Sequence, residues 1–530
     1  MSERVYRLLA VVRADVLIRM RRPSTAVVFV LLSAIPYFWI PDPATGRALI
    51  QIDGSRALYN SAAIGLATAT LGSIFIGLFG FYVISNAVRR DVLSRCGFVI
   101  ASTTMRGSEY IAGKFAGNVA FLTIFAAGYM AVSMAMVVVR GEAPLEPLVF
   151  ATQYALLLPP AITFVSAIAM LFECTPILRT RFGDVLYFFL WLGIMGMVAS
   201  TTGKENASRW PHYFDIAGLG FIMEQVKSAY GTESLAIGAT SFDASKPPLV
   251  FAGLRFDGGW LLPRLGSTLT PLSLLLLARL FFHRFDPARV RAGGEKSRTS
   301  WLGRLNALSR PIARIFLRVG DLVVMLPGRA SLIRSAMTDA LATLAAFPLA
   351  ILVMAGFSIA ALNADAASLR QGVLPFAFAA CALVLAGIAP REKREGTLGL
   401  VFAAPGIRDR FVWWKFLSAL LAGVVCLGIP IGKAIALSAV PAMPLLVGFL
   451  FMVAAATAIG ILSSNPKAFV VLFLLFWYVV LSDKGSSPEL DFAGWAGVAT
   501  PSISAAYAAI SVALLILAQL FHARELRRSW

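Results

Sequence analysis

The sequence predicts an all-α integral membrane protein of about twelve transmembrane helices, arranged as two parallel six-helix repeats. Three observations predict it. Of 530 residues, 58% are hydrophobic and only 14% charged, whereas a soluble chain carries roughly a quarter charged residues. Apolar runs of roughly 18 to 28 residues recur from end to end, each long enough to cross a ~30 Å hydrocarbon core. Marks in the first half also return in the same order in the second. Backbone polar groups in lipid must be satisfied within the segment, so such runs read as helices; the alternating pattern of a barrel is absent from the sequence.

The formal net charge of +19 would suggest nucleic acid in a soluble protein. Here the basic residues follow the positive-inside rule instead. Most Lys and Arg fall on one predicted side. They lie in the N-terminus (Arg4, Arg7, Arg13, Arg19, Arg21, Arg22), the Arg89–Lys114 and Arg391–Lys415 loops, the short loop with Arg179 and Arg181, a central linker and the C-terminal tail. Opposite loops hold single charges such as Arg47, Lys204, Arg255, Arg370 and Lys484. The expectation is a multi-pass protein of the cytoplasmic (inner) membrane with both termini cytoplasmic, lipid as its surroundings and no nucleic-acid partner. The basic N-terminus leads into a span without a small-residue cleavage pattern, so no cleavable signal is expected. Cys96, Cys174, Cys381 and Cys426 offer no pair outside the membrane, no CxxC and no His/Cys cluster, and no disulfide framework or metal site is expected.

Taken in order, Val5, Leu8, Leu9, Val12 and Val16 recur at helical spacing before the first span, with Arg4, Arg7, Arg13 and Asp15 between them. That is an interfacial amphipathic helix. Six spans follow near Thr25–Ile40, Ser61–Val88, Ile111–Val139, Leu148–Glu173, Val185–Ser200 and Trp260–Phe282, which makes residues 1–283 the first repeat. A basic linker occupies 284–329. Residues 330–530 carry six more spans, near Leu341–Leu362, Gln371–Pro390, Val412–Val440, Met443–Leu462, Ala468–Leu481 and Pro501–Phe521. The repeated marks are Val11-Val12-Arg13 and Leu332-Ile333-Arg334, the loops from Arg90-Asp91 to Lys114 and from Arg391-Glu392 to Lys415, and the endings Leu280–Arg284 and Leu520–Arg524. Equal orientation of the halves makes this a parallel repeat. One external segment, Thr201–Gly259, is much longer than its counterpart Ser482–Thr500. Within it Ile216, Leu219, Ile222, Met223 and Val226 form an apolar helix face after Trp210, Tyr213 and Phe214. The favoured reading is a helix resting on the outer leaflet; the functional one is an external cap that includes Trp210, Tyr213, Phe214, Ile222 and Met223.

Catalytic chemistry has little to stand on. The three histidines, His212, His283 and His522, are dispersed, and no HExxH or GxSxG motif is present. A proton- or sodium-coupled carrier keeps carboxylates deep in the bilayer despite a cost of roughly 2.5–3.5 kcal/mol each. The span interiors here are nearly free of acids. The expectation is a transport subunit that is not an enzyme and draws its driving force from outside.

Two charged loops are where that force would enter. The first carries Arg90, Asp91, Arg95, Arg106, Glu109 and Lys114; the second carries Arg391, Glu392, Arg394, Glu395, Gly396, Thr397, Pro405, Arg408 and Lys415. Each has charge at the membrane edge, a short apolar stretch, a turn, more charge and re-entry. The pair resembles the membrane (permease) subunits of type-2 ATP-binding cassette (ABC) exporters, through Glu392, Glu395-Gly396-Thr397, Ala404-Pro405 and Lys415. Asp91, Ala101-Ser102-Thr103 and Gly113-Lys114 carry the resemblance in the first copy, which lacks the Gly-Thr pair and the Pro. The resemblance implies cytoplasmic coupling helices in these loops and a separate cytoplasmic ABC ATPase, in two copies, with room for further membrane or periplasmic subunits. It also implies export of a hydrophobic, lipid-like or peptide-like substrate. The chain has no nucleotide site of its own: Gly107 to Gly113-Lys114 is one residue too long for a phosphate loop, and Phe115 stands where Ser or Thr would bind Mg²⁺. ATP and Mg²⁺ therefore belong to the partner, and no cofactor is expected here. The alternative is a major-facilitator-like secondary transporter driven by an ion gradient, whose Gly-x-x-x-Asp-Arg-x-Gly-Arg loop Arg89-Arg90-Asp91 does not match.

Overall fold

The computed structural model describes the chain except residues 1–2, most of 22–38, 176–177, 180, 202–209, 233, 255, 257, 284, 286–309, 326–330, 405, 484, 486 and 529–530. Helix dominates, and among the described residues eight helices are long and apolar enough to cross a membrane. This is a membrane-embedded, multi-pass protein. Two compact units divide it, Met1–Glu295 and Lys296–Trp530.

The first unit opens with α1 (Glu3–Met20), then a hairpin of β1 (Arg47–Ile52) and β2 (Ser55–Arg56). The spans α2 (Ser61–Val92), α4 (Gly107–Arg140) and α5 (Pro147–Cys174) follow, with the short α3 (Cys96–Ser102) between the first two. Then come α6 (Arg181–Thr201), α7 (Leu219–Tyr230), β3 (Leu235–Ser241) and α8 (Gly258–Phe281). Helix α2 starts where the Asn60 side chain accepts the Ala63 N–H, and a π-type turn interrupts it at Ile76–Gly80. Four expected spans coincide with α2, α4, α5 and α8. The span expected at Val185–Ser200 lies in α6, whose apolar stretch is the shorter Leu186–Met197. The one expected at Thr25–Ile40 lies mostly outside the described residues.

At the end of this unit away from α3, the chain builds a small sheet that an all-helical expectation omits. Asp53 and Gly54 both take positive φ, 49° and 82°, the geometry that joins two twisted strands by a two-residue turn. Strand β3, from the long segment after α6, pairs antiparallel with β1, giving the order β2-β1-β3. Arg56 donates to both Glu142 oxygens at 2.8 Å, and Glu142 also accepts the Tyr59 N–H at 2.9 Å, fastening the hairpin to the α4–α5 turn. The apolar face expected at 216–226 turns into the protein. Ile216, Ile222 and Val226 are buried in the protein, and the Phe221 ring packs on Trp260 of α8 at 6.1 Å.

In the second unit α9 (Arg310–Met325), inside the expected linker, packs along α10 (Leu332–Ala346). Next come α11 (Pro348–Asn363), α12 (Ala366–Leu385) and the short α13 (Arg391–Glu395) and α14 (Leu398–Phe402). Helices α15 (Phe411–Ala436), α16 (Ala442–Ser463), α17 (Pro466–Asp483) and α18 (Pro501–Arg528) complete it. The single span expected at Leu341–Leu362 is broken: α10 and α11 meet at 94°. Pro348 explains the break, since a proline has no N–H with which to continue the helix. Helix α10 thus takes a place like that of α1, ahead of its unit's first span.

Candidate functional site: two buried ion clusters under exposed apolar helices

In the first unit, α1 lies along the start of α4, close enough that a side chain at Gly113 would collide with Val11. That approach buries Asp15 completely. A buried carboxylate is costly unless paired, and three cations surround this one. Arg19, one turn on, lies 2.7 Å away, Arg90 2.5 Å and Lys114 3.0 Å. Lys114 also reaches Asp91 at 2.8 Å, and the Tyr110 hydroxyl donates to Asp91 at 2.7 Å. Burial pushes the Asp15 carboxyl up, but Arg19, Lys114 and Arg90 outweigh it and hold the group below the usual carboxylate range. Glu173, at the end of α5, accepts the N–H groups of Ala87 and Val88, which open the helical segment Ala87–Leu93 after a break at Asn86, φ 78°.

The second unit contains the same device. Asp339 of α10 pairs with Arg391 and, at 3.0 Å, with Lys415 of α15. Lys415, fully buried, reaches Glu392 at 2.6 Å and lies 3.9 Å from the centre of the Trp414 ring. Glu392 and Lys415 are 23 residues apart, the spacing of Asp91 and Lys114. Asp339 stands where Asp15 does, and Thr343, one turn on, binds Arg391 at 2.9 Å in the place of Arg19. The correspondence extends to the rings. Tyr110 stacks on Phe282 at 5.2 Å in one unit, and Phe411 on His522 at 5.1 Å in the other. The triplets Val11–Arg13 and Leu332–Arg334 are not equivalent, however: Asp15 lies two residues after Arg13 and Asp339 five after Arg334, almost a helical turn out of step.

Each cluster supports a short helix that faces outward. Ile100, Ala101 and Met105 pack inward around Val88, Ile111 and Met170, while Phe98 and Val99 of α3 are exposed. Leu398, Val401, Phe402 and Ile407 pack inward around Phe411 and Trp414, while Leu400 of α14 is 79% exposed.

The residues singled out from sequence therefore divide. Arg90, Asp91, Lys114, Arg391, Glu392 and Lys415 belong to the clusters, where they join a pre-span helix, a loop and a span. Glu109 caps α4 by accepting the Arg106 N–H at 3.1 Å and pairs with Arg4 and Arg7. Gly396 ends α13 at φ 71°, the Thr397 N–H returns to the Glu392 carbonyl, and the Arg408 carbonyl meets the His522 ring at 2.8 Å. Arg95, Arg106, Arg394 and Glu395 are exposed. Pro405 lies outside the described residues. Asp15, Arg19 and Asp339 escaped selection, though a lone acid within an apolar helical stretch calls for a cation.

The external candidates are scattered. Ile222 is buried, Met223 half-buried and Phe214 exposed; the Tyr213 ring lies over Gly266. Trp210 sits in a short 3₁₀ turn, Trp210–Phe214. The group that ties this region down is Arg264 of α8, unnoticed in the sequence and 3% exposed. It donates to the Leu156 carbonyl at 2.9 Å, the Asp215 carbonyl at 2.5 Å and the Ile216 carbonyl at 3.2 Å, and to that of Leu157. Pro160 lacks the N–H that would have bonded Leu156. The arginine thus satisfies a carbonyl left over by a proline inside a span, while the Asp215 carboxylate accepts three N–H groups at the start of α7.

Comparison of the chain with protein-family profiles, curated proteins and solved structures finds no match.

Proposed function

We propose that the chain is the permease subunit of an ATP-binding cassette exporter, moved by a separate ATPase that docks on α3 and α14. On this reading it has twelve spans in two parallel six-helix repeats, sits in the inner membrane with both termini cytoplasmic, and moves a hydrophobic, lipid-like or peptide-like substrate. The clusters carry the argument. A push on an exposed helix produces motion of spans only if the helix is rigidly tied to them. Buried ion pairs with fixed partners provide that tie, since separating one costs about 3–5 kcal/mol. Each cluster joins a docking loop to two other elements of its unit, and its repetition with equal spacing fits two ATPase subunits on one chain. The described residues hold eight long apolar helices, one bent pair and two shorter apolar helices, and this reading counts the apolar sequence near 25–40 as the remaining span.

The test is binding of a cassette ATPase encoded beside this chain, co-expressed and co-purified. Leu400→Asp and Val99→Asp change exposed side chains and are expected to abolish co-purification while leaving the melting temperature within about 2 °C. Retention of the ATPase by the doubly substituted protein would overturn the assignment.

A further inference from the structure

We propose that Cys381 of α12 and Cys426 of α15 form a modification site, where a lipid-soluble oxidant of the quinone class joins the touching thiols as a disulfide and locks the two spans together. The two side chains are in hydrogen-bond contact with each other, and both are thiols. Cys381 is 0% exposed and Cys426 3%.

The contact arises where α12 packs along α15. The same two stretches of chain meet again at the second ion cluster, where Glu392, soon after α12, reaches Lys415 at 2.6 Å. Cys381 precedes Glu392 by 11 residues and Cys426 follows Lys415 by 11. The thiols therefore lie further along the same seam, roughly 16 Å from Lys415 at 1.5 Å per helical residue. Small side chains keep that seam tight. Ala377, Ala382 and Ala422 are fully buried, and a side chain built on Gly423 would run into Phe449. A disulfide needs its Cα atoms about 4.4–6.8 Å apart, and thiols that already touch across closely packed helices have little distance left to close.

A single buried cysteine behaves as a small apolar filler. Two thiols in contact can react with each other, and their surroundings select the reaction. Holding a metal ion would leave two thiolates among apolar side chains, and charge without water or a partner is costly there. A disulfide is neutral. Each thiol gives up one electron and one proton, an S–S bond forms, and the quinone takes both electrons and both protons to become a hydroquinone. Nothing charged remains between the spans. A neutral, apolar oxidant dissolved in the bilayer can reach this seam, whereas glutathione, which keeps cytosolic thiols reduced, is ionic and confined to water. The bond, once made, is shielded from that reductant.

This inference stands whether or not the chain transports. The test uses the full chain in phospholipid vesicles, treated with a decyl-substituted benzoquinone or, in a parallel arm, with the water-soluble anionic oxidant tetrathionate. Remaining thiols are alkylated, and peptides are mapped by mass spectrometry without reductant. The expected result is a linked Cys381–Cys426 peptide, formed several-fold faster with the quinone than with tetrathionate. The melting temperature should rise by roughly 4–16 °C, the shift a typical disulfide gives in a unit of this size. Cys381→Ala and Cys426→Ala are each expected to abolish the linked peptide and the rise, and Cys96→Ser, at an exposed position, to leave both unchanged. Gel filtration checks the folding of each variant, and the wild-type arm stands without them. Thiols that stay fully alkylatable, quinone adducts in place of a bond, linkage to Cys96 or Cys174, equal reaction with tetrathionate, or a linked pair without a change in melting temperature would overturn the proposal.

Discussion

Removing the Lys415 charge is the sharpest probe of the second cluster. Lys415→Met keeps an apolar stem of similar length but leaves Asp339 and Glu392, both almost fully buried, facing Arg391 alone. The cluster changes from two cations and two anions to one cation and two anions. Leaving a buried charge uncompensated costs about 3–5 kcal/mol. For a unit the size of Lys296–Trp530, where 1 kcal/mol corresponds to about 2–4 °C, the melting temperature should fall by roughly 6–20 °C. Asp339→Asn together with Lys415→Met restores charge balance, one cation against one anion. The double variant should recover about 1–3 kcal/mol relative to the sum of the single effects. The assay is thermal unfolding in detergent followed by tryptophan fluorescence, with gel filtration after heating. Strict additivity, with each single change costing under 1 kcal/mol, would refute the claim that the cluster acts as one closed network.

Two further outcomes follow from other contacts. Arg264→Met leaves the Leu156 carbonyl inside a span and the Asp215 carbonyl beside it without their donor, while the Leu157 carbonyl keeps the Ser73 hydroxyl at 2.9 Å; at about 1–3 kcal/mol per orphaned group the change should destabilise the protein by roughly 2–5 kcal/mol. It should also raise protease sensitivity in the segment around residues 215–230, and unchanged proteolysis would argue against the tether. At the hairpin, the hydrogen bond from Arg56 holds the Glu142 carboxyl below the usual carboxylate range. A carboxyl lowered on folding contributes stability that is present above its unfolded value and lost as pH falls through the folded one. Acidification below about pH 4.5 should therefore loosen the β1–β2 hairpin in the wild type. Glu142→Gln should loosen it already at neutral pH, and hydrogen exchange at Tyr59 and Ala57 reads both effects.

The spans were legible because their signal is collective. Twenty apolar residues outweigh any local irregularity, so α4, α5, α15 and α16 fall within a few residues of expectation. Where one residue decides, the averaged pattern failed. Pro348 converts one expected span into two helices at 94°, because a single missing N–H breaks a helix that hydropathy alone would continue. Asp53-Gly54 is a strong local hairpin signal, but the strand that completes the sheet comes from beyond α6, a pairing invisible to any window. The charged loops look like a surface in the sequence, because sequence shows charge and not burial. Asp15 and Asp339, the carboxylates at the centre of each cluster, sit in other segments and meet Lys114 and Lys415 only once the helices pack.

The central claim is that this polypeptide supplies a pathway while another supplies the force. The measurement that bears on it most directly is flux of a fluorescent amphiphile in vesicles containing only the purified chain. Across an imposed pH or sodium gradient no flux is expected, and addition of the partner ATPase with ATP and Mg²⁺ should start it. Gradient-driven flux by the chain alone would contradict the account.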